Sequence, residues 1–232
     1  MNHSLLRIAI ACTTIAVPAI SQDIVAIKAK TIHTITGPSI QDGVILLQNG
    51  RIQKIAKAAD VEIPWSATVI DASDKVVMPT YVLAHSNGGM RGANETMQNV
   101  PWLSVADAID PASTYFEGML RNGVGTIHVL PGNNTLMAGS GMVVRPFGRT
   151  VEDMTVADNT GMKLSLMTSN GSRLQKIREM RRAIAAVREY LANFQREQAE
   201  FEKEQAAGAI PADKKWEKEI DRKQKAAVEL IE

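Results

Sequence analysis

The run from Val76 to Ala84 constrains this chain more than any other segment: it is an apolar run, interrupted at Pro79, that leads into His85-Ser86-Asn87. A sheet with one wet face alternates apolar and polar residues, so an unbroken apolar run is expected of a strand buried on both faces. Downstream, Ser113 to Arg121 reads as a helix, Gly123 breaks it, and Gly125 to Leu130 reads as a second buried strand. Met142 to Val144 and Met162 to Leu166 are further short strands. Strand, helix and strand in this order predict parallel α/β units.

Upstream the rhythm is different. From Asp23 to Asp71, short β-rich runs alternate with Gly37-Pro38, Asp42-Gly43, Asn49-Gly50 and Pro64. The phrase LLQNGRIQKI predicts a hairpin, because Asn-Gly supplies the positive φ values of a type I′ turn. The segment reads as a small antiparallel sheet or sandwich.

The last part is helical. Ser172 can cap a helix, with Gln175 completing a capping box. Ile177, Met180, Ile184, Val187, Leu191, Phe194 and Phe201 then form one apolar stripe. Gly208 and Pro211 mark a break, and Asp213 begins a second helix carrying Trp216, Ile220, Ala227 and Ile231. A helical hairpin is expected, with its charged face in solvent.

The first residues carry a separate signal. Arg7 precedes an apolar run from Ile8 to Ile20, and Ala19-Ile20-Ser21 puts small residues where a signal peptidase cuts. Export to the periplasm or beyond follows, with no stable membrane span after cleavage. Cys12 is the single cysteine and would be lost with that segment, which excludes a thiol nucleophile and a cysteine-ligated zinc. A net charge of +1 gives no basis for binding nucleic acid or an anionic membrane.

Val69-Ile70-Asp71, then Val76-Val77-Met78-Pro79, then Ala84-His85 resembles the opening of the amidohydrolase superfamily, in which a sandwich domain leads into a (β/α)8 barrel whose first strand ends in Asp-Ala-His-x-His. Three positions depart from that phrase: Thr80 stands for a glycine, Leu83 for the aspartate and Asn87 for the second histidine. GVGTIHVLPGNNTLMAGSG, Gly123 to Gly141, is similar to the second barrel strand and glycine-rich loop of the imidazolonepropionase-like branch. Asp107 to Pro111 and Gly161-Met162-Lys163 carry the same likeness, which covers residues 24–170.

The resemblance implies an α/β fold: a small sandwich-like N-terminal sheet, an incomplete (β/α) TIM-type barrel and a C-terminal helical hairpin. The segments are 1–21 signal peptide, 22–75 β-rich sheet, 76–171 partial barrel and 172–232 hairpin. It also implies a metal-dependent hydrolase of non-peptide carbon–nitrogen bonds in a small-molecule substrate. His85 and Asn87 are the candidate metal ligands, for a divalent ion and zinc above others. Residues two apart on a strand share a face, so both would reach into the barrel mouth, where a metal can turn bound water into hydroxide. An amide oxygen at position 87 is a poor zinc donor, and a lone histidine is also a common structural residue.

Asn94 and Glu95 are the candidate substrate-binding pair at that mouth. Lys163 reads either as a metal-bridging lysine or as a half-buried lysine reaching water. The loop Gly132 to Gly141 reads either as a phosphate cradle or as a tight turn, and it lacks the Lys-Ser/Thr of a P-loop. A closed barrel takes about 250 residues, so the chain alone is expected to be inactive. Its open barrel edge is expected to associate with itself or with a partner. A non-catalytic binding or scaffold homologue is the competing expectation.

Overall fold

Across Asn49-Gly50 the chain reverses in two residues: Gln48 pairs with Arg51, and the turn residues take φ values of 52° and 73°. Both are positive, as a type I′ turn requires. The computed structural model of the chain describes residues 23–167 and 171–231; the signal-like segment 1–21 lies outside them. The chain divides after Pro79 into two compact units.

In the first unit β1 (Ile24–Ile32), β2 (Ile40–Gln48), β3 (Arg51–Lys57) and β4 (Thr68–Val77) form one sheet in the order β3-β2-β1-β4. This differs from the antiparallel sheet or sandwich expected. β1 pairs with β2 antiparallel but with β4 in parallel. The reason is the connection 58–67, which crosses back over one face of the sheet. Val61, Ile63 and Ala67 from it pack on Ala26 and Val44, covering that face as a second sheet would have. On the other face Ala29, Ile32 and Ile45 are buried among Ile27, Leu47, Ile55 and Val77.

The apolar run does not form one strand. Pro79 has no N–H to give to a ladder, so β4 stops at Val77 and the next strand, β5 (Tyr81–Ser86), starts beyond it. In the second unit α1 (Thr114–Arg121) connects β5 to β6 (Val124–Val129), and the two strands pair in parallel. Ser113 caps α1 by accepting the Tyr115 N–H. β5 is not buried on both faces: it ends the strand order, with Tyr81 58% and Val82 70% exposed. β6 beside it is the buried strand, and Ile127 and Val129 pack with Phe116 of α1.

After β6 come β7 (Met137–Ser140), β8 (Met142–Val144), α2 (Val151–Met154), β9 (Thr155–Ala157) and β10 (Met162–Leu164). The sheet order is β5-β6-β8-β9, while β7 and β10 pair with each other. β8 and β9 join antiparallel. One parallel β/α/β unit is therefore formed among the described residues where a run of them was expected. A parallel return needs a crossover, usually a helix. The segment between β6 and β8 is glycine-rich and builds β7 instead.

α3 (Arg173–Ala206) and α4 (Arg222–Ile231) form the expected helical pair. Met180 and Val187 of α3 are buried with Ala227 and Val228 of α4 against Leu136 and Met137. Ser172 caps α3 by accepting the Leu174 N–H, but Gln175 hydrogen-bonds Glu179 and completes no capping box. The second helix starts at Arg222, not at Asp213. Asp221 is its cap, accepting the Lys223 N–H, and the Asp221 N–H donates to Tyr190 Oη. Gln205 holds the preceding segment out of helix by donating to the carbonyls of Pro211, Ala212 and Lys214. Trp216 then packs edge-on against Phe194 and Phe201.

Candidate functional site

The polar end of β5 is fastened to α1. Ser86 Oγ shares a hydrogen bond with Tyr115 Oη and accepts the Gly88 N–H. A Cβ at Gly88 would lie 2.4 Å from the Tyr115 ring, and one at Gly89 2.3 Å from the Phe116 ring. Only glycine lets the chain leave β5 this close to two aromatic rings. The sequence displays the Gly88-Gly89 doublet but not the rings it must clear.

On β5 itself, His85 Nε2 lies 2.6 Å from Lys163 Nζ. An ammonium has only donors, so Lys163 donates to the imidazole lone pair and the His85 proton resides on Nδ1. Lys163 stands on β10 and is half-buried, and that burial holds its ammonium below the ordinary lysine value. Sequence reading left Lys163 between metal and solvent. Its partner is instead an imidazole 78 residues away, which no local pattern could reveal.

His128 is tied down on both sides. Its Nδ1 lies 3.2 Å from the Ala84 carbonyl and its Nε2 2.8 Å from Thr160 Oγ1. A carbonyl only accepts, so Nδ1 carries the proton and Nε2 accepts from the threonine. Its ring links β6 to β5 and to the loop after β9.

Asn94 and Glu95 belong to a different set of contacts. Asn94 Oδ1 accepts the Asn134 N–H at 2.9 Å, and the Glu95 N–H donates to Thr135 Oγ1 at 3.1 Å. Ser165 Oγ donates to the Asn133 carbonyl, tying the same loop to the end of β10. Among the described residues no hydrogen bond joins these groups to His85 or to Asn87. Glu95 lines a cleft of about 520 Å³ with Arg91, Ser104, Asp107 and Asp110. Within it the Arg91 guanidinium, followed by the Ala112 N–H, holds the Asp110 carboxyl below the usual carboxylate range.

The glycines of the loop serve close packing. A Cβ at Gly132 would lie 2.1 Å from Asn94 Oδ1, and one at Gly139 2.0 Å from the Leu103 carbonyl oxygen. The segment is more than a tight turn: its second half is β7, and the Met137 and Ser140 N–H groups donate to the Gln98 and Leu103 carbonyls.

The donor set does not fit a zinc site. Catalytic zinc takes three protein ligands drawn from imidazole, thiolate and carboxylate. Among the described residues no group of three or more His, Cys, Asp or Glu is placed to hold a metal ion. The one imidazole on β5 has its Nε2 lone pair engaged by an ammonium, and Asn87 offers only a neutral amide.

No family model matches the chain. Its fold is similar to that of an amidohydrolase from Thermotoga maritima MSB8, with a TM-score of 0.66 and 24% identity over 87% of this chain and 54% of that one. Over 83 residues it is 36% identical to a 5-methylthioadenosine/S-adenosylhomocysteine deaminase of Moorella thermoacetica, a match taking in 34% of this chain and 19% of that protein. The chain thus spans about half the length of the first and a fifth of the second. The first comparison shows a shared fold, and the second a local likeness over about a third of this chain.

Proposed function

We propose that this chain carries the scaffold of a hydrolase acting on carbon–nitrogen bonds other than peptide bonds, and that as this chain it does not hydrolyse them. The likeness to an amidohydrolase and to a deaminase supports the reaction class. The contact between Lys163 Nζ and His85 Nε2 supports the inactivity. A metal and an ammonium proton compete for one imidazole lone pair, and the adjacent Asn87 cannot compensate. The reading leaves a small-molecule binding or scaffold role for the chain.

Two further parts of the reading rest on sequence and topology. Residues 8–21 support export to the periplasm or beyond. No described helix is long and apolar enough to cross a membrane. β5, exposed at the end of its sheet, supports association with a second copy or a partner strand.

Metal analysis tests the proposal. Purified chain incubated with zinc or manganese and then desalted is expected to hold background metal and to release no ammonia from aminated nucleosides. Near-stoichiometric metal, lost in His85→Ala, would overturn it.

A further inference from the structure

We propose that a hollow of about 180 Å³ between β7, α3 and α4 is a binding site for a small aromatic carboxylate. Its floor is apolar and buried: Met137 from β7, Val187 from α3 and Ala227 from α4. Ala186 lines it too, and its small side chain leaves the space open. An engineered apolar cavity of roughly 150 Å³ binds benzene, so this volume takes one aromatic ring.

The mouth supplies the second half of the site. Lys223 Nζ lies 5.6 Å from the centre of the Trp102 ring, held at the rim by a cation–π contact. Lys223 is the one ionisable group among the lining residues, and no carboxylate among the described residues forms an ion pair with it. The Gln224 amide stands beside it as a neutral hydrogen-bonding group. An apolar pocket with a single unmatched cation at its rim complements an amphipathic monoanion, ring inward and carboxylate at Lys223.

The segment that leads into Trp102 is hydrogen-bonded to β7 and α3. Val100 N–H donates to the Met137 carbonyl at 2.7 Å, and Met137 N–H donates to the Gln98 carbonyl at 2.9 Å. Lys176 Nζ adds a hydrogen bond to Gln98 Oε1 at 2.7 Å. None of these residues belongs to the His85–Lys163 site, so the two proposals stand or fall separately.

The probes are benzoate and its neutral isostere benzamide, titrated into the full chain and followed by calorimetry and tryptophan fluorescence. Saturable benzoate binding is expected, with benzamide about fivefold weaker. Lys223→Gln should remove the preference for benzoate while leaving the fold intact, because its side chain is exposed. Ala186→Phe should fill the hollow and abolish binding of both probes. If Ala186→Phe unfolds, as read by circular dichroism, Trp102→Phe is the substitute: it should silence the fluorescence response while calorimetric binding persists. Absence of saturable binding at millimolar benzoate, an unchanged preference in Lys223→Gln, or full affinity in a folded Ala186→Phe would each overturn the proposal.

Discussion

β5 and β6 are neighbours in one sheet, paired in parallel, yet they meet opposite fates. Ile127 and Val129 of β6 are completely buried, while Tyr81 and Val82 of β5 stand more than half exposed. Their compositions are alike: each run is mostly apolar and each carries a histidine near its end. What separates them is position. β6 has strands on both sides and Phe116 of α1 over it; β5 ends the strand order. Apolar sequence therefore records a strand's capacity to be buried, and its place in the sheet decides whether that capacity is used.

The contrast makes its sharpest prediction for stability. Ile127→Ala should cost about 2–5 kcal/mol in denaturant unfolding, the range for truncating a buried aliphatic side chain. Val82→Ala should change stability by less than about 0.5 kcal/mol. Equal losses at the two sites would break the comparison, because they would mean that β5 is as buried as β6.

The next effect is on association. A charge on an exposed edge strand blocks strand addition. Val82→Lys should shift sedimentation velocity profiles toward the monomer without altering the unfolding midpoint. A chain that is already monodisperse and monomeric before the substitution would remove the reason for regarding β5 as a pairing edge.

A smaller effect concerns Lys163, which joins β10 to β5 through His85. Its folded value lies below the ordinary 10.5 because burial disfavours the ammonium. Between those two values the unfolded chain binds more protons than the folded one, so this group makes stability rise with pH across that window. Below the window Lys163 is charged in both states and its burial penalty is fully present. Lys163→Met should flatten that alkaline rise, as read from unfolding midpoints measured at a series of pH values. An identical pH profile would show that the lysine is not desolvated beside His85.

The smallest effect is at Asp110, whose carboxyl is lowered by exposed Arg91 and by the Ala112 N–H. Its contribution is present above the unfolded value near 3.8 and is lost as pH falls through the lower folded value. Arg91→Ala should move the acid limb of the stability profile slightly upward in pH, and added salt should shrink the difference.

Local signals were the legible ones. Asn49-Gly50 determined its own turn, since few residue types tolerate two consecutive positive φ values. Ser113 and Ser172 capped the helices they precede, because a cap needs only its own next residues. Asp221 was as legible as Asp213 in principle. The choice between them was made by Gln205 and Tyr190, which hold the intervening chain out of helix from another element.

By itself the sequence determined the Asn49-Gly50 turn, the Ser172 cap and the stripe of α3, all of which rest on residues within a few positions or a few turns of one another. Only the tertiary structure decided that the apolar run is exposed on both sides of Pro79, that the first sheet carries a parallel strand, and that Lys163 engages His85. Those outcomes depend on groups tens of residues apart. Their pairing energy is set by burial and hydrogen-bond geometry, which exist only once the chain has folded. For Val76 to Ala84 the result is specific: Pro79 was visible as an interruption, but its role as the point where one compact unit ends needed the fold.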